Sequence, residues 1–168
     1  VLLREIAAVT AVFGGVVIKF TGDGGLVAFL GPGFNVANDM VFDAATALVA
    51  DVYAVMNPAL KAAGLPRVDV RVGLDMNEAQ VTAVGSEDSH RQNDVLGVAV
   101  SMAAKIESVG APGEVWVGQT LYETLHISRQ NKLELATPNK DWNFVNRAGR
   151  PYELYRLPMV PPLPAADS

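Results

Sequence analysis

Between residues 16 and 30, two apolar runs, Val-Val-Ile-Lys-Phe and Leu-Val-Ala-Phe-Leu, flank Thr21-Gly22-Asp23-Gly24-Gly25. β-Branched runs of this length favour extended backbone, and a Gly/Asp cluster between them supplies the tight reversal of a β-hairpin. The segments on either side have a different period. Upstream, residues 2–13 carry Leu3, Ile6, Ala7 and Val9 near helical spacing, ended by Gly14-Gly15. Downstream, residues 38–63 read as a second helix. Leu48, Val52, Val55, Met56 and Leu60 mark its apolar face, and Pro58 is expected to kink or split it.

Residues 68–76 alternate strictly. Val68, Val70, Val72, Leu74 and Met76 fall on one face, and Asp69, Arg71, Gly73 and Asp75 on the other. That is the pattern of a half-buried strand, with 80–84 as its expected hairpin partner. A polar loop over 86–92, a helix over 95–108, a strand over 114–117 and a short helix over 119–125 follow. Short strands are expected near 132–135, 142–145 and 152–157. The sum is one α+β domain over residues 1–157, with a largely antiparallel sheet and helices packed on it. The Pro-rich segment 158–168 reads as a tail or linker.

Composition narrows the chemistry. The chain has 168 residues, half of them apolar, enough for one sizeable core. A net charge of −5 argues against general nucleic-acid binding, which needs a positive surface. The absence of cysteine excludes disulfides and thiolate chemistry. With only His90 and His126, a metal would be held mainly by oxygen. No apolar run reaches the roughly 18–20 residues needed to span a bilayer, and the N-terminus has no signal-peptide pattern. The simplest expectation is a soluble cytoplasmic domain without membrane contact. The start at Val1 reads as a cut edge.

Two segments carry candidate chemistry. Asp23 lies between glycines at a hairpin tip: either an ordinary Asp-Gly turn, or a carboxylate presented to a divalent cation and a triphosphate. In Asn93-Asp94-Val95-Leu96-Gly97-Val98-Ala99-Val100-Ser101-Met102-Ala103-Ala104-Lys105, Ser101 and Lys105 are four apart and share a helix face. Asp94 joins that face if the helix extends back to it. The face is either solvated or lines a cleft.

Together these segments resemble the catalytic domain of class III adenylate and guanylate cyclases. Lys19-x-x-Gly22-Asp23 is similar to the family's first hairpin, and Arg71-Val72-Gly73-Leu74 to its Arg-Ile-Gly-Ile strand. Asp94-Val95-Leu96-Gly97 resembles its Asp-x-x-Gly turn. Val100-Ser101-x-Ala103-x-Lys105 resembles the helix that follows, and Pro112-Gly113-Glu114-Val115 the next turn and strand. The resemblance runs from about Ile6 to Leu157. It implies a ferredoxin-like nucleotide cyclase fold and a lyase converting ATP to cyclic AMP and pyrophosphate in intracellular signalling. Lys19 and Asp94 would select adenine, since lysine donates to a ring acceptor and aspartate accepts from the exocyclic amine. Asp23 would hold Mg²⁺ or Mn²⁺. Ser101 and Lys105 would be catalytic, and Arg147 would bind the triphosphate. A second cyclase subunit, with a homodimer as the expectation, would complete the site.

The chain departs from the family pattern at three points. The family's first metal-binding aspartate lies on a strand before the first helix, and this sequence begins after it. Ser101 stands where the family has asparagine, and Lys105 where it has arginine. Lysine keeps the charge but loses the planar fork. The alternative reading is a catalytically weak or inactive cyclase-homology module that binds nucleotide or a partner subunit. Asp75-Met76-Asn77 stands where the family often has His-Thr-Gly, and the sequence assigns Asp75 no role.

Overall fold

The computed structural model describes residues 1–30, 34–84, 92–138 and 142–157. The expected polar loop lies, apart from Gln92, outside the described residues, as does the tail over 158–168. Helix α1 (Leu2–Val12) leads into a hairpin of β1 (Val16–Thr21) and β2 (Gly24–Ala28). α1 touches both strands and also α2. α2 (Phe34–Asp51) passes through a π turn over Val52–Met56 into α3 (Asn57–Ala62). Pro58 thus lies at the start of α3, just after the π turn, and the backbone at Asn57 stays helical (φ −62°, ψ −42°). Pro58 has no N–H to donate back along the helix, and the preceding turn widens instead, with the Asn57 N–H reaching the Val52 carbonyl.

A four-stranded sheet in the order β3-β6-β8-β7 forms the centre. Its strands are β3 (Val72–Leu74), β6 (Val115–Gly118), β8 (Leu154–Leu157) and β7 (Glu134–Ala136). β3 pairs with β6 in parallel, and the other two ladders are antiparallel. β4 (Ala79–Val84) and β5 (Gln92–Gly97) form a separate antiparallel hairpin. β5 runs directly into α4 (Val98–Val109). Two short helices, α5 (Gln119–Tyr122) and α6 (Ile127–Gln130), follow β6.

Side-chain alternation on the central sheet divides the core. Leu74, Val115 and Val117 face Phe42 and Ala45 of α2, together with Leu121 and Leu125. Trp116 and Leu154 face Met102 and Ile106 of α4, with Tyr152 beside them. The sheet therefore lies between α2 and α4. This explains the strand called half-buried from its alternation. Val72 and Leu74 do point into the α2 core, but Gly73 on the opposite face meets α4. A Cβ on Gly73 would stand 2.2 Å from the Glu107 nitrogen and 2.4 Å from the Ala103 carbonyl oxygen, so the contact admits only glycine. Arg71 next to it pairs with Glu107 of the same helix.

Three expectations are corrected. The 80–84 segment does not pair with the strand before it. It is part of β4 and pairs with β5, while β3 takes β6 as neighbour. The helix expected over 95–108 begins only at Val98, because residues 92–97 are extended and hydrogen-bonded to β4. The strand expected at 142–145 is reduced to a single bridge between Val145 and Pro151.

Candidate functional site

The turn of the first hairpin is two residues long. Thr21 pairs with Gly24, leaving Gly22 and Asp23 at the tip, and Gly22 takes φ 63°, a conformation open to glycine. Asp23 is exposed there, and among the described residues it forms no ion pair. Further down the strand, the register shifts between Val17 and Lys19. Such a bulge re-aims the side chains that follow it. Lys19 crosses to the second hairpin, where its Nζ donates to both carboxylate oxygens of Asp94 on β5, at 2.9 and 2.8 Å. The Val95 N–H also donates to Asp94 Oδ1. The Lys19 hydrogen bonds, followed by that from Val95, hold the Asp94 carboxyl below the usual carboxylate range. Both side chains keep solvent contact, 35% exposed for Lys19 and 23% for Asp94.

Asp94 is thus a strand residue, and helical spacing does not relate it to Ser101. What brings it beside Lys19 is the contact between β1 and β5. Ser101 and Lys105 do share the exposed face of α4, one turn apart, while Met102 and Ile106 turn inward. Lys105 reaches away from the helix, and its ammonium lies 4.3 Å from the centroid of the Phe144 ring. Arg147 is exposed in the tight loop between Val145 and Pro151. There Asn146 Oδ1 accepts the N–H groups of Ala148 and Arg150. Among the described residues Arg147 forms no hydrogen bond or ion pair with Lys19, Asp94, Ser101 or Lys105. The structure therefore joins Lys19 to Asp94 and sets Ser101 beside Lys105.

Asp75, without a role in the sequence, is the most strongly shifted carboxyl among the described residues. It follows β3 and lies against Tyr152 and against Gly118 at the end of β6. The Tyr152 hydroxyl donates to its Oδ1 at 2.7 Å, and that hydroxyl accepts the Thr120 N–H at 3.0 Å. A side chain at Gly118 would stand 2.6 Å from the same oxygen. Burial outweighs the Tyr152 hydrogen bond and pushes the Asp75 pKa up to about 6. Sequence reading also missed Glu114, 5% exposed, which accepts from the Ala111 N–H and from Trp116 Nε1 and pairs with Arg156. Its signal was its place in Pro-Gly-Glu, where a charged residue opens a buried strand.

Asp23 is one carboxylate, and among the described residues no group of three His, Cys, Asp or Glu side chains is placed to hold a metal. One exposed carboxylate nevertheless fits the usual needs of Mg²⁺, which takes one or two carboxylates and completes its shell with water and substrate phosphate. No described helix is long and apolar enough to cross a membrane.

The fold recurs among solved structures. The adenylyl cyclase CyaB from P. aeruginosa superposes with a TM-score of 0.75 at 21% identity, covering 93% of this chain and 78% of that one. The guanylyl cyclase Cya2 gives 0.73 at 22% identity, covering 93% and 76%. The guanylate cyclase domain of RhGC from Catenaria anguillulae, solved in complex with GTP, gives 0.71 at 18%, covering 94% and 80%. No match was found among curated protein sequences. The sequence profile described as "Adenylate and Guanylate cyclase catalytic domain" matches residues 12–149, most of the chain. The α+β cyclase architecture expected from the motifs is the one observed, and the chain belongs to the adenylate and guanylate cyclase catalytic domain family.

Proposed function

We propose that the domain is an adenylate cyclase, cyclising ATP to cyclic AMP with release of pyrophosphate. The observation that carries this reading is the Lys19–Asp94 pair, formed across 75 positions of sequence between two hairpins. A cation and a carboxylate side by side, both still reached by solvent, offer a donor and an acceptor to one edge of a base. Adenine presents the complementary ring acceptor and exocyclic amine. The Asp94 carboxyl, held below the usual range, stays an acceptor at neutral pH. Guanine carries a carbonyl where adenine has its amine, and would set that oxygen against Asp94.

In the reaction the ribose 3′-oxygen attacks the α-phosphorus. A new P–O bond forms, the bond to the β-phosphate oxygen breaks, and the hydroxyl proton leaves with solvent or a phosphate oxygen. Lys19 and Asp94 fix the base and so orient the ribose. Ser101 offers a hydroxyl to the sugar or phosphate oxygens. Lys105 brings positive charge to the transferring phosphoryl, where charge develops. Asp23 would hold Mg²⁺ or Mn²⁺, which when bound neutralises triphosphate charge and lowers the 3′-hydroxyl pKa.

We further infer a two-fold dimer in which Asp23 of one copy serves Lys19, Asp94, Ser101 and Lys105 of the other. Mixing two inactive variants tests both parts. Asp23→Ala with Lys19→Ala leaves one fully intact site in each mixed dimer, so about a quarter of wild-type cyclic AMP formation should return under random pairing of the two chains. No recovery under conditions where mixed dimers form argues against the shared site. Lys19→Ala and Asp94→Ala should each narrow the preference for ATP over GTP in competition assays. An unchanged ratio argues against base selection by the pair. ATP binding without cyclic AMP formation, with either Mn²⁺ or Mg²⁺, supports the nucleotide-binding module instead.

A further inference from the structure

We propose that Phe144 is a positioning residue for Lys105, its ring face holding the ammonium where bound triphosphate meets α4; this rests on the cyclase reading above. Lys105 is exposed on α4, and a lysine there has a long, rotamer-rich stem that must be ordered before its charge is useful. Its Nζ instead lies 4.3 Å from the Phe144 centroid, within the range of a cation–π contact. Among the described residues no carboxylate pairs with it.

The partner's chemistry matters. Lys19 has its charge offset by Asp94 in the same chain. An aromatic face orients an ammonium without cancelling its charge and occupies none of its N–H donors with an acceptor atom. That suits a lysine required to meet phosphate. The ring is itself fixed. Phe144 is half-buried and packs edge-on against Trp142, with centroids 4.7 Å apart. Its carbonyl accepts the Tyr152 N–H at 2.8 Å, and Trp142 Nε1 donates to the Tyr152 carbonyl at 2.8 Å. The hydroxyl of Tyr152 is anchored in turn on Asp75. The platform for Lys105 is therefore tied, through Tyr152, to the segment entering β8 and to Asp75 just after β3.

The test is a double-mutant cycle with Phe144→Leu, which keeps an apolar side chain but removes the ring face, and Lys105→Met. In the wild-type background Phe144→Leu should lower kcat roughly two- to five-fold, the scale of an exposed cation–π contact, with little change in KM. In the Lys105→Met background it should change nothing. Phe144→Trp should retain or improve on wild-type kcat, which guards against a folding defect in the leucine variant. Independently of activity, the Lys105 Cε methylene should show an upfield ring-current NMR shift that Phe144→Leu abolishes. Equal losses from Phe144→Leu in both backgrounds, or no ring-current shift in the wild type, overturn the proposal. If the wild type forms no cyclic nucleotide, the cyclase reading has failed. The same cycle then decides the positioning from ATP affinity measured by calorimetry, where additivity overturns it.

Discussion

Asp75→Asn should change how stability depends on pH. Burial raises the Asp75 pKa from an ordinary 3.8 to about 6. A carboxyl whose folded pKa is raised holds its proton in the native state after the unfolded chain has released it. Stability is then greatest below pH 3.8 for this group and falls as pH rises to about 6, above which the loss is complete. At ~1.4 kcal/mol per pH unit, the gap between 3.8 and about 6 corresponds to about 3 kcal/mol. Asparagine has no proton to lose. It can accept the Tyr152 hydroxyl, but its amide adds two donors that need partners, which offsets its stability by a constant. The quantity to follow is therefore the difference between the variant and wild type across pH. Urea unfolding from pH 4 to pH 8, with equal m-values, should show that difference moving by about 2.5 kcal/mol in favour of asparagine, the first part of the loss lying below pH 4. A difference flat to within about 0.5 kcal/mol, or one moving the other way, would refute the reasoning.

Three further outcomes are expected. Gly73→Ala should destabilise the domain by at least about 1–3 kcal/mol, since the new methyl meets backbone of α4 rather than a side chain that could turn aside; thermal unfolding measures it. Asp23→Ala, at an exposed tip, should alter stability by less than about 0.5 kcal/mol while abolishing metal-dependent nucleotide binding in calorimetry. Lys105→Arg combined with Ser101→Asn should raise cyclic AMP turnover roughly ten- to a thousand-fold with a much smaller change in ATP affinity, because a bidentate donor acts on the transition state.

What could be read from the sequence followed the range of the forces involved. The first hairpin was legible because its turn and its two strands are adjacent in the chain, and Val16–Thr21 and Gly24–Ala28 lie within a residue or two of expectation. β5 was missed because Val95, Leu96 and Val98 look helical when read with Met102 and Ile106 behind them. Only pairing with β4 makes residues 92–97 extended. The wrong partner for β3 has the same origin. Sequence nearness favoured 80–84, whereas β6, some forty residues on, completes a buried strand. Lys19 and Asp94 were linked by resemblance to a family, not by any local pattern. Asp75 and Phe144 depend wholly on tertiary contacts, with Tyr152 and Lys105 respectively, and no spacing announces them.

The Arg-Val-Gly-Leu strand shows how such a motif acts without touching a substrate. Val72 and Leu74 bind it to the α2 core, while Gly73 and Arg71 set the height and tilt of α4 on the opposite face. The polar edge of that same helix carries Ser101 and Lys105. Gly73 lies against the backbone of Ala103, between them in sequence. A methyl at 73 cannot be absorbed by a side-chain rotation, so it must displace the helix and both candidate catalytic groups with it. Misplacing such groups by about 1 Å costs roughly a hundredfold in rate. Gly73→Ala should therefore reduce activity more steeply than its effect on stability accounts for, even at temperatures where the variant remains folded. If residual activity instead tracked only the folded fraction, the approach at Gly73 would serve stability alone, and α4 would take its catalytic position from elsewhere.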